Sequence, residues 1–283
     1  MSVVDVRSPA GSAPSTSKPR RVAFTVLSLI LAAGTFGGLL GIGLFYGWFD
    51  SEAGGIHRVH IVGFGILFGI LSTVPAVALA RRPEAKPSAF LQIVAIAVAT
   101  LLSALVSLEA GYLLFGLIVA AGAAVLLALH PNRAGVLHPS PDPSRIMAAF
   151  ALGGAVPLVW FGLAMARLQR DGVPADPHVR NDHWANMAAL AFALVLVGLL
   201  ASARVRGWRL TAWCAGIGAA VYGLASIVFS RFPGTQVPYP GSEGVGWGLV
   251  ALVGGLGFIA VAEWEARQGS DAAEEAPGDV PGG

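Results

Sequence analysis

In a chain of 283 residues, 55% apolar and only 12% charged, about half the charge of an ordinary soluble domain is missing. Folded in water, such a chain would expose apolar patches that soluble monomers avoid, so a soluble globular domain is excluded and lipid is the expected solvent. The formal charge of +2 comes from short basic clusters between apolar runs, a pattern that orients a chain in a membrane and does not track phosphates, so nucleic acid is not an expected partner.

Residues 1–21 are rich in Ser, Pro and Ala, end in Lys18-Pro19-Arg20-Arg21, and read as a disordered cytoplasmic terminus. The apolar run from Val22 to Phe49 is longer than a signal-peptide core, and no small-residue cleavage site closes it. It reads as a retained first membrane helix. A spanning helix needs about 20 mostly apolar residues. Eight segments qualify, at roughly 22–48, 58–80, 88–108, 110–130, 145–166, 183–203, 208–230 and 245–264. Residues 131–144 form a Pro-rich connector, and 267–283 have the acidic, Gly/Pro-rich composition of a disordered tail.

Only Leu108-Glu109-Ala110-Gly111 separates the third and fourth segments, and the basic residues justify keeping that break. With eight spans and a cytoplasmic N-terminus, thirteen of 18 Lys and Arg fall on inner loops, Arg81, Arg82, Arg204, Arg206 and Arg209 among them. Cytoplasmic loops carry this excess. The expected location is therefore the plasma membrane, the inner membrane of a bacterial-type cell, with both termini cytoplasmic. The lipid bilayer is the first expected partner, and another membrane protein or a second copy of the chain is the next.

Small residues recur at helical spacing, as in Gly34/Gly38, Gly43/Gly47 and Gly65/Gly69. Such pairs let membrane helices approach closely, within one chain or between two. Pro75 and Pro157 lie inside the second and fifth segments, where either can kink its helix. A period is also present. His60 opens the second helix and Arg81 closes it; His183 and Arg204 repeat this at an offset of 123. The first and third helices map onto the fifth and seventh, while the fourth and eighth align after a short insertion at 232–244. The expected fold is an all-α integral membrane protein of eight transmembrane helices in two parallel four-helix repeats, 22–130 and 145–266.

The spans contain almost no ionisable side chains, which argues against a proton- or sodium-coupled pump. Titratable residues gather at the outer boundary. His57 and His60 share a face of the second helix, Asp182 and His183 open the sixth, Glu109 opens the fourth, and Glu243 precedes the eighth. Imidazoles with carboxylates suit a divalent transition metal, which assigns His57, His60, Glu109, His183 and Glu243 as candidate ligands and Asp182 as their partner. Alternatively His60 and His183 are the two axial ligands of a haem. A third reading keeps all of them as interfacial polar groups, since acidic residues suit helix N-termini without further purpose.

The four-plus-four layout, with His57-Arg58 opening the second helix and Glu52 upstream, is similar to haem A synthase, the cytochrome oxidase assembly enzyme. The resemblance implies haem chemistry on histidines of paired helices. This chain departs from that pattern: it lacks a histidine on the fourth helix of each half, and its glutamate stands five residues before the His-Arg instead of three. The activity is not carried over. The expected function is a haem- or metal-handling, redox or assembly protein with a polar outer site, catalytic or not. A small-solute permease with Gln92 and Asn186 lining its crevice, and a non-catalytic membrane scaffold, stand as alternatives.

Overall fold

The computed structural model describes residues 17–38, 41–49, 55–139, 141–231 and 244–274. They form helices and no strand, and eight helices are long and apolar enough to cross a membrane. These are α1 (Lys18–Gly37), α2 (His57–Arg81), α3 (Pro87–Ser107), α4 (Ala110–Leu129), α5 (Arg145–Asp171), α6 (His183–Ser202), α7 (Trp208–Val228) and α8 (Val245–Gln268). The disordered termini expected at the two ends lie almost wholly outside the described residues.

The expected break between α3 and α4 is present and has a local cause. Leu108 takes the left-handed conformation at φ 56°, and the Glu109 side chain caps α4 by accepting from the Gly111 N–H at 3.3 Å. The first segment departs from expectation. Instead of one helix over 22–48, the chain ends α1 at Gly37 and forms a second, short helix over Gly43–Phe49. That short helix lies directly on α2. A Cβ at Gly43 would stand 2.5 Å from the Ile61 carbonyl oxygen, and one at Gly47 would stand 2.7 Å from the Val62 side chain. The Gly43/Gly47 pair therefore packs within the chain, whereas a Cβ at Gly34 or Gly37 would meet nothing within 4 Å.

Four helices form the core. Burial reaches 78% along α6, 67% along α2, 61% along α7 and 56% along α3, against 17–22% for α1, α4, α5 and α8. The outer helices carry large apolar side chains that face away from the protein, such as Val156 and Val253. Each half thus buries its second and third helices and leaves its first and fourth outside. The largest buried cluster joins α2, α3, α5, α6 and α7 through side chains including Ile66, Leu71, Met165, Met187 and Tyr222.

α2 is not a uniform α-helix. Gly65–Thr73 is π-helical, and Ser72 and Thr73 donate their hydroxyls back to the Leu67 and Phe68 carbonyls at 2.8 and 2.7 Å. Pro75 accounts for part of this. It has no N–H to offer the Leu71 carbonyl four residues earlier, and a carbonyl left unpaired in an apolar interior is costly. Gln92 on α3 supplies the missing donor, with Nε2 at 2.9 Å from Leu71 O.

One end of the bundle gathers the basic loops. The Ser88 N–H donates to Arg206 O at 3.3 Å, joining the α2–α3 and α6–α7 connections. Arg204 lies 3.7 Å from Asp142 and 3.8 Å from Glu265, and Ser144, the cap of α5, bonds the same glutamate. Residues 131–144, expected as a connector, include a one-turn helix, Arg133–Leu137, capped by Asn132.

The Gln92 bond is testable. Gln92→Leu is expected to destabilise the detergent-solubilised protein by about 1–3 kcal/mol, the cost of an unpaired buried carbonyl. Pro75→Ala restores an N–H at that place, so the double variant should lose less than Gln92→Leu and Pro75→Ala do separately; additive losses in thermal unfolding would contradict the pairing.

Candidate metal centre

Four histidines meet at the opposite end, where α2 and α6 begin. His57 and His60 stand on one face of the first turns of α2, His57 half-buried and His60 fully enclosed. His183 is the first residue of α6. The fourth, His178, comes from a one-turn helix, Pro177–Arg180, in the α5–α6 connection. Asp176 caps that turn and Pro177 occupies its first position, where a missing N–H costs nothing.

The capping carboxylate also holds the ring. Asp176 Oδ1 accepts from the His178 backbone N–H at 2.9 Å and lies 3.0 Å from the ring Nδ1. Burial works to raise the Asp176 carboxyl, but the two hydrogen bonds from His178 outweigh it and hold the group below its ordinary value. An ionised carboxylate can only accept, so a proton on Nδ1 faces Asp176, and in the neutral imidazole Nε2 is then the lone-pair nitrogen. Gln169, buried at the end of α5, fastens the connection: Nε2 donates to Val179 O at 2.8 Å and to Asp182 at 3.3 Å, while Oε1 accepts from the Ala185 N–H at 3.3 Å.

The rings pack edge to face, except His57 and His183, which are tilted at 42°. Centroids are 4.8 Å apart for His57–His183, 5.8 Å for His57–His178 and 5.5 Å for His178–His183. His60 stands 5.3 Å from His178 and 5.8 Å from His183. Trp184 and Phe64 wall the cluster, 4.7 Å from His60 and 5.5 Å from His183 respectively.

His57, His178 and His183 each present one ring nitrogen, and the three lie within 4.8 Å of one another. With metal–nitrogen bonds of about 2.0–2.1 Å, the nitrogens of a tetrahedral or trigonal centre stand about 3.3–3.6 Å apart. Small ring rotations close that difference. His178 Nε2 and His183 Nδ1 are buried and have no hydrogen-bond partner among the described residues, a cost that an ion between them would remove. Neutral imidazoles suit zinc, copper, nickel or iron; magnesium and calcium require oxygen ligands, which this set lacks.

A haem held between His60 and His183 does not fit this arrangement. His178 lies 5.3 Å from one ring and 5.5 Å from the other, so it stands in the plane a porphyrin between them would occupy.

Of the residues singled out from sequence, His57, His60 and His183 are brought together. Glu109 is not among them: it caps α4 and faces Asp182 across Gly111, whose Cβ would lie 3.6 Å from one carboxylate and 3.8 Å from the other. Asp182 bonds Gln169 instead of orienting His183. Burial and then the negative charge of Glu109 push its carboxyl up to about 6. Glu243 lies outside the described residues. His178 was not named a ligand from the sequence. The signal available was Asp176-Pro177-His178, a cap and first-turn proline that fix a histidine two residues on.

The crevice residues of the permease reading are engaged elsewhere. Gln92 bonds Leu71, Asn186 Oδ1 accepts from the Tyr112 hydroxyl at 3.3 Å, and neither lines either of two apolar clefts in the bundle. Among the remaining histidines, His130 is buried at the basic end between Phe24 and Phe90. Its burial lowers its proton affinity. Comparison with protein-family models, curated proteins and solved structures returns no match for this chain.

The Asp182 environment gives a pH signature. A carboxyl raised from 3.8 unfolded to about 6 folded stabilises the fold below the lower value, and that stability is lost as pH rises through the higher one. Asp182→Asn should flatten the fall in melting temperature across this window; parallel profiles for the variant and the wild type would contradict the assignment.

Proposed function

We propose that the chain is an integral membrane protein that binds one transition-metal ion at the outward-facing end of its helices, as a metal-handling protein or assembly factor. The observation that carries this reading is the convergence of His57, His178 and His183, from three separate chain segments, with ring nitrogens within 4.8 Å of one another. Interfacial histidines without a shared purpose would have no reason to aim at one point. His178 would bind through Nε2 and His183 through Nδ1, the atoms left without partners. The ion would supply a Lewis-acidic centre, and Asp176 would orient His178 in the manner of the carboxylates behind metal-bound imidazoles.

Membrane placement follows from the eight apolar helices, whose outer faces expose Val, Leu, Ile and Phe. Orientation follows from the basic loops. Arg204, Arg206 and Arg209 gather at the end opposite the histidines, so a cytoplasmic basic end puts the metal centre outside. The location is then the plasma membrane, with Lys18 on the cytoplasmic side.

Two parallel four-helix repeats are part of the same proposal. Support beyond the sequence period comes from the two apolar clefts, one within α1–α4 and one within α5–α8. Leu27, Leu31, Gly34 and Thr35 line the first, and at the offset of 123 Phe150, Gly154, Pro157 and Leu158 line the second. Ser72 with Val195, Ile93 with Gly216 and Ile96 with Ala219 continue the correspondence. The repeat explains why His60 and His183, equivalent positions, meet near the centre.

Metal analysis of the purified full-length protein tests the reading. One bound zinc or copper ion per chain is expected after loading and desalting. His178→Ala and His183→Ala should abolish retention, and Asp176→Asn should weaken it by about 10- to 100-fold, the usual effect of losing such an orienting carboxylate. Wild-type protein that retains no ion of either metal would refute the proposal.

A further inference from the structure

The four rings form two triangles with one shared edge. His178 and His183, 5.5 Å apart, belong to both. His57 completes the outer triangle at 5.8 and 4.8 Å. His60 completes the inner one at 5.3 and 5.8 Å. The two apices sit on the same face of α2 one turn apart, and their surroundings differ in one respect. His57 is half-buried at the rim, whereas His60 has no exposed surface and is covered by Trp184.

We infer that the cluster is a two-position site for a divalent transition metal, with an entry position on His57, His178 and His183 and an occluded position on His60, His178 and His183. This rests on the metal-binding reading above and goes beyond it by giving the ion a path. The transfer is a ligand exchange: a metal–nitrogen bond to His60 forms as the one to His57 breaks. The ion keeps its charge and three imidazoles throughout, and no electron or co-reactant is needed. Two features of the fold suit the exchange. The shared ligands are the anchored ones, His178 by Asp176 and His183 by its place in the packed α6, so the ion pivots about a fixed edge. The nitrogens of the outer triangle alone are already grouped within 4.8 Å among the described residues, so the entry position forms first and the His60 ring must turn to take the ion inward.

Neither the acidic pair Asp182/Glu109 nor the apolar clefts extend this path. The carboxylates lie to one side across Gly111, and the clefts are lined elsewhere on the helices.

Chelator extraction of zinc from the loaded full-length protein in detergent separates the two positions. Wild type should release zinc to a chromogenic chelator mainly in a slow phase, at least about tenfold slower than the single fast phase expected of His60→Ala. His60→Gln, closer in size and polarity, guards against a folding defect and should also release fast. His57→Ala should still hold zinc and release it slowly, but load more slowly than wild type. Equal release rates for wild type and both His60 variants would overturn the occluded position while leaving a single metal site intact. Wild type that binds no zinc would overturn the underlying reading and this inference with it.

Discussion

Everything at the histidine end depends on how closely α2 approaches α6. One turn beneath His60, Gly63 presents bare backbone to α6, and a Cβ there would stand 2.6 Å from Met187 Sδ. Met187 in turn lies one turn beneath His183. Above this contact, rings on the two helices come within 6 Å of one another. A larger residue at position 63 would force the flexible end of Met187 to move within a closely packed interior.

The chemistry of imidazole explains why this approach is tolerable. Four carboxylates or four ammonium groups in the same place would repel one another and would lack the hydration that keeps such groups charged. Neutral histidines bring no charge with them. They pack as aromatic rings against Trp184 and Phe64, and each offers a lone pair. The site can therefore exist as ordinary packing and still bind an ion. Asp176, charged and in direct contact with His178, acts from the more exposed side, where it keeps access to water.

Much of the architecture was legible in the sequence because lipid imposes a simple rule on composition and length. Seven of the eight helices begin and end within a few residues of the apolar segments, and the α3–α4 break was marked by Glu109 and the basic loops beyond it. The first segment was misread as one helix because hydrophobicity continues past Gly37, where α1 ends. The short helix it leaves, Gly43–Phe49, follows from glycines that fit against α2, a relation no local pattern displays. The site was legible in part for a similar reason. Periodicity put His57 and His60 on one face, and the offset of 123 matched His60 to His183. It could not show that a loop histidine, His178, would be carried in by a four-residue turn and locked by Gln169, nor that Glu109 would turn toward Asp182.

The central claim is that imidazoles from α2, the α5–α6 connection and α6 bind one ion together. Pulsed electron paramagnetic resonance of the copper(II)-loaded full-length protein counts the imidazoles that couple to the metal. Three coupled imidazoles in the wild type, with the bound copper(II) signal lost in desalted His178→Ala, are what this account predicts. Coupling to one imidazole or none, or a count unchanged by removing His178, would contradict it.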